Sequence, residues 1–262
     1  MIDLPATIRQ LIGEEAYEVD EVGMSDSTIM MFRDKVLKIQ PDGEEARHEH
    51  EVMRWLKGKL PVPRVLGFER DNKEAYLLMT RLTGKMACTD TTMNDPEQLT
   101  GILAKGLRKL WNVDIGPCPY LYNLDERLHR AKKRVAQGLV AMDDAEPDTY
   151  GENGFKDPKH LLKWLIRNKP NEELAFSHGD FCLPNILIAH GEVSGYLDMG
   201  RAGIADKWFD IALCYRSLLH NYGGKYTGRE YQGFNPERLF EKLNMEPDWE
   251  KIRYYTLLDE LF

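Results

Sequence analysis

The chain has 262 residues, of which 42% are hydrophobic and 30% are charged, a composition typical of a folded globular protein. Lys and Arg number 35 against 43 Asp and Glu, which gives a formal net charge of −8. This charge disfavours nucleic acid and anionic membranes as partners, and it indicates either a cationic small-molecule partner or simple solubility. The 4 cysteines form no CxxC pair, so they indicate neither a disulfide framework nor a zinc knuckle.

The N-terminal segment, residues 1–17, carries acidic residues and lacks the cationic start and apolar run of a signal peptide. No run in the sequence approaches the about 20 apolar residues that a membrane span needs. We therefore expect a cytoplasmic protein with reduced thiols.

The first part of the sequence predicts a small antiparallel sheet with two helices. Helices are expected at 4–13 and 44–57, and strands at 17–22, 28–32, 35–40, 65–68 and 75–79. Residues 80–84 form a polar segment that leaves the sheet. Because strands dominate before this segment and helices after it, we predict two lobes, 1–82 and 83–262.

The third predicted strand places a lysine where it can meet a buried acid. Alternation puts Leu37 and Ile39 on the core face and Lys38 on the opposite face. On the following helix, Glu49 shares the apolar stripe, where a carboxylate is costly unless a cation meets it. Lys38 is the expected partner, with Glu45 as the competing acid. The alternative is a surface lysine and a glutamate favoured near a helix start.

The second part predicts mainly helices. One helix begins at Pro96 with apolar residues at helical spacing, another opens at Asp157-Pro158, and a third ends the chain. Between the first two lies the densest acidic run, residues 143–152. Such a run is usually a solvated loop, and the alternative is a loop that receives ammonium groups.

The chemistry of the sequence is concentrated around a predicted hairpin. Strands at 186–189 and 193–197 flank a turn centred near Gly191, so Asn185 should lie next to Asp198 at the open end. Asp180 precedes Asn185 by five residues. An Asp, an Asn and an Asp at this spacing are what phosphoryl transfer from ATP needs. Asp180 would bind a substrate hydroxyl and accept its proton, while Asn185 and Asp198 would hold Mg²⁺. Taken singly, each could be an ordinary turn or cap residue.

The lysine and its glutamate would then position the ATP phosphates, as such a pair does in kinases. Val36 and Met79 would pack on the adenine ring, and backbone groups from Thr80 to Leu82 would read its edge. A plain interdomain linker at 80–82 is the alternative.

The sequence also resembles a known family. His178–Asn185 reads HGDFCLPN, Leu197–Arg201 reads LDMGR, and the strings at 205–212 and 247–262 extend the match. These motifs resemble the aminoglycoside phosphotransferases, relatives of the protein kinases, and the longer strings resemble their 3′-phosphotransferase branch, the kanamycin kinases. The resemblance implies a two-lobed, protein-kinase-like α/β (α+β) fold, with a small antiparallel-sheet N-terminal lobe that binds nucleotide and a mainly helical C-terminal lobe for catalysis and substrate binding. It also implies transfer of a phosphoryl group from ATP, with Mg²⁺, to the 3′-hydroxyl of an aminoglycoside, which confers resistance.

The resemblance further implies contacts that spacing does not show. Ser25, in a turn with one glycine instead of a full glycine-rich loop, would contact phosphate. Residues expected at the drug are Arg201, Asp148, Glu152, Glu260 and Phe262.

The sequence departs from this family where Leu183, His220 and Asn221 replace acids and where residues 222–236 form a longer loop. Drug range, the choice between ATP and GTP and the role of this loop are therefore left open. A kinase of choline, a sugar or homoserine is the alternative reading, and a silent ATP-binding module is a weaker one. We expect a monomer or weak homodimer.

Overall fold

The computed structural model describes residues 4–20, 27–143 and 145–262. Ser25 and most of the turn predicted at 23–27 lie outside these residues. In the described part of the chain, no helix is both long and apolar enough to cross a membrane. The described residues form two compact units. The first contains residues 4–20 and 27–87 together with Pro184–Ala202, and the second contains 88–143, 145–183 and Gly203–Phe262.

The first unit is built on an antiparallel sheet. Its strands are β1 (Glu18–Asp20), β2 (Thr28–Met31), β3 (Lys35–Pro41), β4 (Val65–Arg70) and β5 (Glu74–Thr80). They are arranged in the order β1-β2-β3-β5-β4. The helices of this region are α1 (Ala6–Ile12) and α2 (Glu44–Leu56). The strands and helices predicted from the sequence are thus present, with ends that differ by a few residues.

The two faces of β3 are used differently. Leu37 and Ile39 are buried in an apolar cluster with Ile8 of α1 and Tyr76 of β5. Because side chains alternate along a strand, Lys38 lies on the other face, where it meets α2. The predicted orientation of this strand is confirmed.

A second, three-stranded sheet completes the first unit. It pairs β6 (Lys85–Met86) with β8 (Ile186–Ala189), and β8 in turn with β9 (Glu192–Tyr196). The prediction of lobes 1–82 and 83–262 differs from this grouping, since β6 and the hairpin pack with the first unit. The reason is that β6 makes backbone hydrogen bonds with β8, a long-range pairing that strand patterns along the chain do not reveal.

The second unit is mainly helical. Its helices are α3 (Asp90–Met93), α4 (Pro96–Trp111), α5 (Leu124–Gln137), α6 (Pro158–Arg167), α7 (Lys207–Tyr222), α8 (Arg238–Leu243) and α9 (Trp249–Asp259). Two strands, β7 (Leu174–Ser177) and β10 (Gly203–Asp206), pair antiparallel. The prediction of an antiparallel sheet followed by a mainly helical part is confirmed.

Aspartates begin most of the longer helices of this unit. Asp95, Asp157, Asp206 and Asp248 each accept a hydrogen bond from a backbone N–H of the first helical turn. Such caps satisfy donors that the helix itself leaves unpaired. Asp206 is also buried and accepts hydrogen bonds from Lys251 and Tyr255, so it fixes α9 against the start of α7.

Candidate active site

The hairpin β8–β9 brings together two residues that the sequence singled out. Its turn contains Gly191 with φ 74°, a conformation that glycine adopts without strain. Ile186 pairs with Tyr196, and the N–H of Leu197 donates to the carbonyl oxygen of Asn185 at 2.8 Å. Asp198 follows directly. The predicted position of Asn185 opposite the end of the second strand is therefore confirmed.

Lys38 is held between two carboxylates of the first unit. Its Nζ donates to Oε2 of Glu49 at 2.9 Å and to Oδ1 of Asp198 at 2.8 Å. Burial alone would lower the pKa of this lysine, but the charges of Glu49 and Asp198 raise it, so the ammonium form is retained. The predicted lysine–glutamate contact is present, and Glu49 is the partner instead of Glu45.

The three side chains differ in their access to solvent. The side chains of Lys38 and Glu49 are 9% and 2% exposed, whereas that of Asp198 is 42% exposed. Gln40 donates a further hydrogen bond to Glu49 at 3.3 Å. The buried pair of Lys38 and Glu49 is thus shielded from solvent, and Asp198 is the side chain of the three that a ligand can reach.

Glu45 has a different partner, Arg201. The Nε of Arg201 donates to Oε1 of Glu45 at 3.1 Å. Nearby, the buried His48 ring lies 2.6 Å from the carbonyl oxygen of Ala202. These contacts attach the segment after the hairpin to α2. The drug contact predicted for Arg201 stays a prediction.

The residues predicted to contact adenine lie on β3 and at the end of β5. Val36 pairs with Met79 in the sheet register, so the two side chains are neighbours on one face. The N–H of Thr80 donates to Arg64 and that of Arg81 to Asp34. The N–H groups of Thr80 and Arg81 are therefore already used in hydrogen bonds within the first unit, and the adenine contact of residues 80–82 stays a prediction.

In the second unit, the loop that follows β7 carries Asp180. The loop is anchored by Asp210 of α7, which is fully buried. Asp210 accepts hydrogen bonds from the N–H of His178 at 2.8 Å, the N–H of Gly179 at 2.9 Å and the hydroxyl of Ser177 at 3.0 Å. Burial raises the pKa of its carboxyl, and these donors oppose the rise. Asp180 itself is only partly buried.

Sequence reasoning assigned no function to Asp210. It lies in residues 205–212, one of the strings that carry the family resemblance. Nothing in its spacing, however, marks an acid on a helix as the hydrogen-bond acceptor for a distant loop. A second anchor was also missed: the hydroxyl of Ser217, on the same helix, accepts a hydrogen bond from the N–H of Leu183 at 2.9 Å. The loop is therefore held from both sides of Asp180.

The two acidic elements predicted from the sequence meet in the second unit, through one acid that was not singled out. The N–H of Glu146 lies 3.4 Å from Oε1 of Glu260. Glu260 is nearly buried and lies 3.8 Å from Arg216, which also forms an ion pair with Asp259. Burial raises the pKa of the Glu260 carboxyl, and the charge of Arg216 lowers it.

The other predicted drug contacts have different surroundings. Asp148 and Glu152, in the acidic run, are exposed to solvent. The carbonyl oxygen of Phe262 accepts a hydrogen bond from Arg134 at 3.2 Å. Among the described acids of this run, Glu146 is the one with a cationic side chain in contact, Lys225. Nothing in the sequence shows this contact or the one with Glu260, so Glu146 was not selected.

A model of the phosphotransferase enzyme family, APH, matches residues 25–255. An aminoglycoside 3′-phosphotransferase from Enterococcus faecalis is 39% identical over 98% of this chain and 90% of its own length. One from Staphylococcus aureus is 36% identical over 100% of this chain and 95% of its own. The chain belongs to the aminoglycoside 3′-phosphotransferase family.

The fold of this phosphotransferase agrees with solved relatives. The crystal structure of aminoglycoside 3′-phosphotransferase of type VIII is 27% identical, with a TM-score of 0.82 over 98% of this chain and 97% of that one. An aminoglycoside phosphotransferase from Streptomyces rimosus, solved with ADP and streptomycin, has a TM-score of 0.77 at 24% identity, and covers 100% of this chain and 99% of its own. The predicted family, fold class and enzyme class are confirmed.

Proposed function

We propose that this phosphotransferase transfers the γ-phosphoryl group of ATP to the 3′-hydroxyl of aminoglycosides of the kanamycin and neomycin type. The observation that carries the proposal is Lys38, held at hydrogen-bond distance by both Glu49 and Asp198. A retained ammonium beside an exposed carboxylate is a combination that binds phosphate and a divalent cation together.

Lys38 would bind phosphate oxygens of ATP. Its two acidic neighbours keep its ammonium group charged and fix its position. Val36 and Met79 would contact the adenine, and Ser25 a phosphate.

Within residues 4–20, 27–143 and 145–262, no group of three or more His, Cys, Asp or Glu side chains could hold a metal. A site with one carboxylate and one amide oxygen fits Mg²⁺, which keeps water and phosphate oxygens in its coordination shell.

Asn185 and Asp198 would therefore be the protein ligands of Mg²⁺. When bound, the ion neutralises charge on the phosphates of ATP. Asp198 suits this use because its carboxylate is 42% exposed, so that a metal ion can reach it.

Asp180 would act on the acceptor. The 3′-hydroxyl oxygen forms a bond to the γ-phosphorus, the bond between that phosphorus and the bridging oxygen breaks, and ADP leaves. Asp180 orients the hydroxyl and accepts its proton. The rigid anchoring of its loop by Asp210 and Ser217 supports this role, because a positioned base must be held precisely.

The acids of the second unit support a polycationic acceptor. Glu146, Asp259 and Glu260 are gathered near Arg216, and exposed Asp148 and Glu152 add negative charge. Coulomb attraction to several ammonium groups adds over many contacts. A phosphate added to the drug brings about two negative charges, which would oppose binding to RNA and so confer resistance.

The alternative function is that of a kinase whose substrate is a small alcohol with one cationic group or none. A choline/ethanolamine kinase family protein from Mesorhizobium loti has a TM-score of 0.64 over 96% of this chain and 79% of its own, but at 14% identity it shows the fold alone. A quaternary ammonium is usually bound by an aromatic cage. The gathered acids support the aminoglycoside instead. We further propose a cytoplasmic enzyme, where ATP is supplied, that is monomeric or weakly dimeric.

The deciding experiment measures ADP release with kanamycin and with its 3′-deoxy analogue tobramycin. We expect release with kanamycin and none above background with tobramycin, because tobramycin offers no 3′-hydroxyl. Comparable release with both would refute the 3′ assignment. ADP release with neither drug, but with choline or a simple sugar, would establish the kinase of a small alcohol. No release with any acceptor would favour a catalytically silent ATP-binding module.

A further inference from the structure

A tight turn at the end of α7 carries a lysine back onto the acids of the second unit. Gly224 has φ 75°, and a Cβ there would lie about 3.0 Å from the backbone of Arg229, so the position requires glycine. The N–H of Lys225 donates to the carbonyl oxygen of His220 at 2.9 Å. This turn opens the loop 222–236, to which the sequence assigned no role.

Lys225 and His220 bind the same carboxylate oxygen. The Nζ of Lys225 lies 2.8 Å from Oε1 of Glu146, and Nε2 of His220 lies 3.0 Å from it. Burial would raise the pKa of the Glu146 carboxyl, but the hydrogen bond from Lys225 and the charges around it lower it. Glu146 is therefore ionised and already has a cationic partner.

The two partners of Glu146 differ in how firmly they are held. His220 is mostly buried and its Nδ1 lies 3.1 Å from the hydroxyl of Tyr226, with the two rings packed edge to face. The side chain of Lys225 is 41% exposed and reaches Glu146 from the surface. A long, flexible ammonium in partial contact with water can leave its acid at low cost, whereas the anchored imidazole cannot.

This turn lies close to the loop that carries the proposed base. The side chain of Tyr226 is 51% exposed. Partial burial raises the pKa of its hydroxyl, and the negative charges of Glu146 and Asp180 raise it further. Asn221 donates to Ser217, whose hydroxyl accepts from the loop after Asp180. The Lys225–Glu146 contact thus belongs to the acceptor side of the second unit.

We propose that Lys225 is an internal stand-in for a substrate ammonium group: it holds Glu146 in the free enzyme, and an amine of the substrate displaces it. The inference rests on the proposed function, since it needs a cationic acceptor. An alkylammonium of a drug and that of lysine make the same hydrogen bonds to a carboxylate. A neutral sugar hydroxyl cannot replace the lost charge contact, so Lys225 selects against neutral acceptors as well as competing with cationic ones.

The test compares Lys225→Met with Arg229→Met. The second is a matched control because Arg229 lies in the same loop and pairs with Asp90 instead of Glu146. For Lys225→Met we expect KM for kanamycin to fall about two- to fivefold, the range of a partly exposed ion pair, with KM for ATP unchanged. Arg229→Met should leave both constants unchanged. A KM for kanamycin that is unaltered or higher in Lys225→Met overturns the proposal.

A double-mutant cycle and a second ligand make the test specific. In a Glu146→Gln background, Lys225→Met should have no effect on KM, because the carboxylate for which it competes is gone. Calorimetric titration with spermine, a polyamine without hydroxyl groups, should show tighter binding to Lys225→Met than to the wild type. Equal spermine affinity overturns the stand-in role even if kanamycin is phosphorylated, and tighter spermine binding without kanamycin turnover refutes the proposed substrate alone.

Discussion

The Nζ of Lys38 lies 2.8 Å from Oδ1 of Asp198, although 160 residues separate the two in the chain. The contact joins the central strand of the first sheet to the end of the β8–β9 hairpin. Because Lys38 also pairs with Glu49, a single ammonium fixes the relative positions of β3, α2 and the residues proposed to hold Mg²⁺.

The buried pair predicts a large loss of stability for Lys38→Met. The variant would leave the carboxylate of Glu49 buried without its cation, which should cost about 3–5 kcal/mol in the free energy of unfolding. Lys35→Met is the control, since Lys35 pairs with the more exposed Glu15 and should lose about 1 kcal/mol or less. Urea unfolding measures both. Equal midpoints would contradict the buried-pair account, and adding Glu49→Gln to Lys38→Met should restore part of the loss.

Removal of the proposed base should affect turnover more than nucleotide binding. Asp180→Ala is expected to lower kcat about 100-fold or more, because the substrate hydroxyl loses the group that orients it and accepts its proton. ADP binding, measured by calorimetry, should be nearly that of the wild type. Near-normal turnover of kanamycin by this variant would remove Asp180 from the mechanism.

The proposed metal ligands should respond to Mg²⁺. Asn185→Ala is expected to raise the Mg²⁺ concentration needed for half-maximal turnover, since one oxygen ligand is lost. Asp198→Ala should abolish turnover even at raised Mg²⁺, because it removes both the charged ligand and a partner of Lys38. The measurement is turnover against Mg²⁺ concentration, and superimposable curves for wild type and both variants would refute the assignment.

Asp210 should be a structural anchor of the loop that carries Asp180. Asp210→Ala leaves the buried N–H of His178 and the hydroxyl of Ser177 without their acceptor, at about 1–3 kcal/mol for each unsatisfied group, while the N–H of Gly179 keeps its hydrogen bond to Ser177 Oγ. The control is Asp248→Ala, which removes a helix cap in the same unit and should cost about 1 kcal/mol. Chemical unfolding compares the two. A loss no larger than that of the control would show that the loop does not depend on Asp210.

Glu173 should make stability depend on acid pH. Hydrogen bonds and charges, led by Lys207, lower the pKa of its carboxyl from 4.5 to about 2. A lowered folded-state pKa contributes stability above the unfolded value, and the contribution is lost as pH falls from about 4.5 to about 2. Because the side chain is 53% exposed, solvent screening reduces the contribution to about 1 kcal/mol.

The comparison is between wild type and Glu173→Gln, unfolded by urea at a series of pH values. The stability difference between them should shrink as pH falls through this window. A constant difference for Glu173→Gln would contradict the expectation.

Local patterns determined much of this protein. Alternation along β3 gave Lys38 its face, the turn at Gly191 set the register that brings Asn185 beside the end of β9, and caps such as Asp157 marked helix starts. These features depend on neighbours within a few residues, so periodicity and turn chemistry are enough to predict them. The motif around Asp180 likewise indicated the reaction class from spacing alone.

Only the tertiary structure decided which distant groups meet. Glu49 rather than Glu45 pairs with Lys38, Asp210 anchors the loop of Asp180, and Glu146 is held by Lys225. The apolar stripe of α2 favoured Glu49 over Glu45 without excluding Glu45, and no local pattern marked Asp210 or Glu146 as the acceptor for a distant partner. The choice follows from which side chains the packed helices and strands bring within about 3 Å, the range in which a hydrogen bond forms.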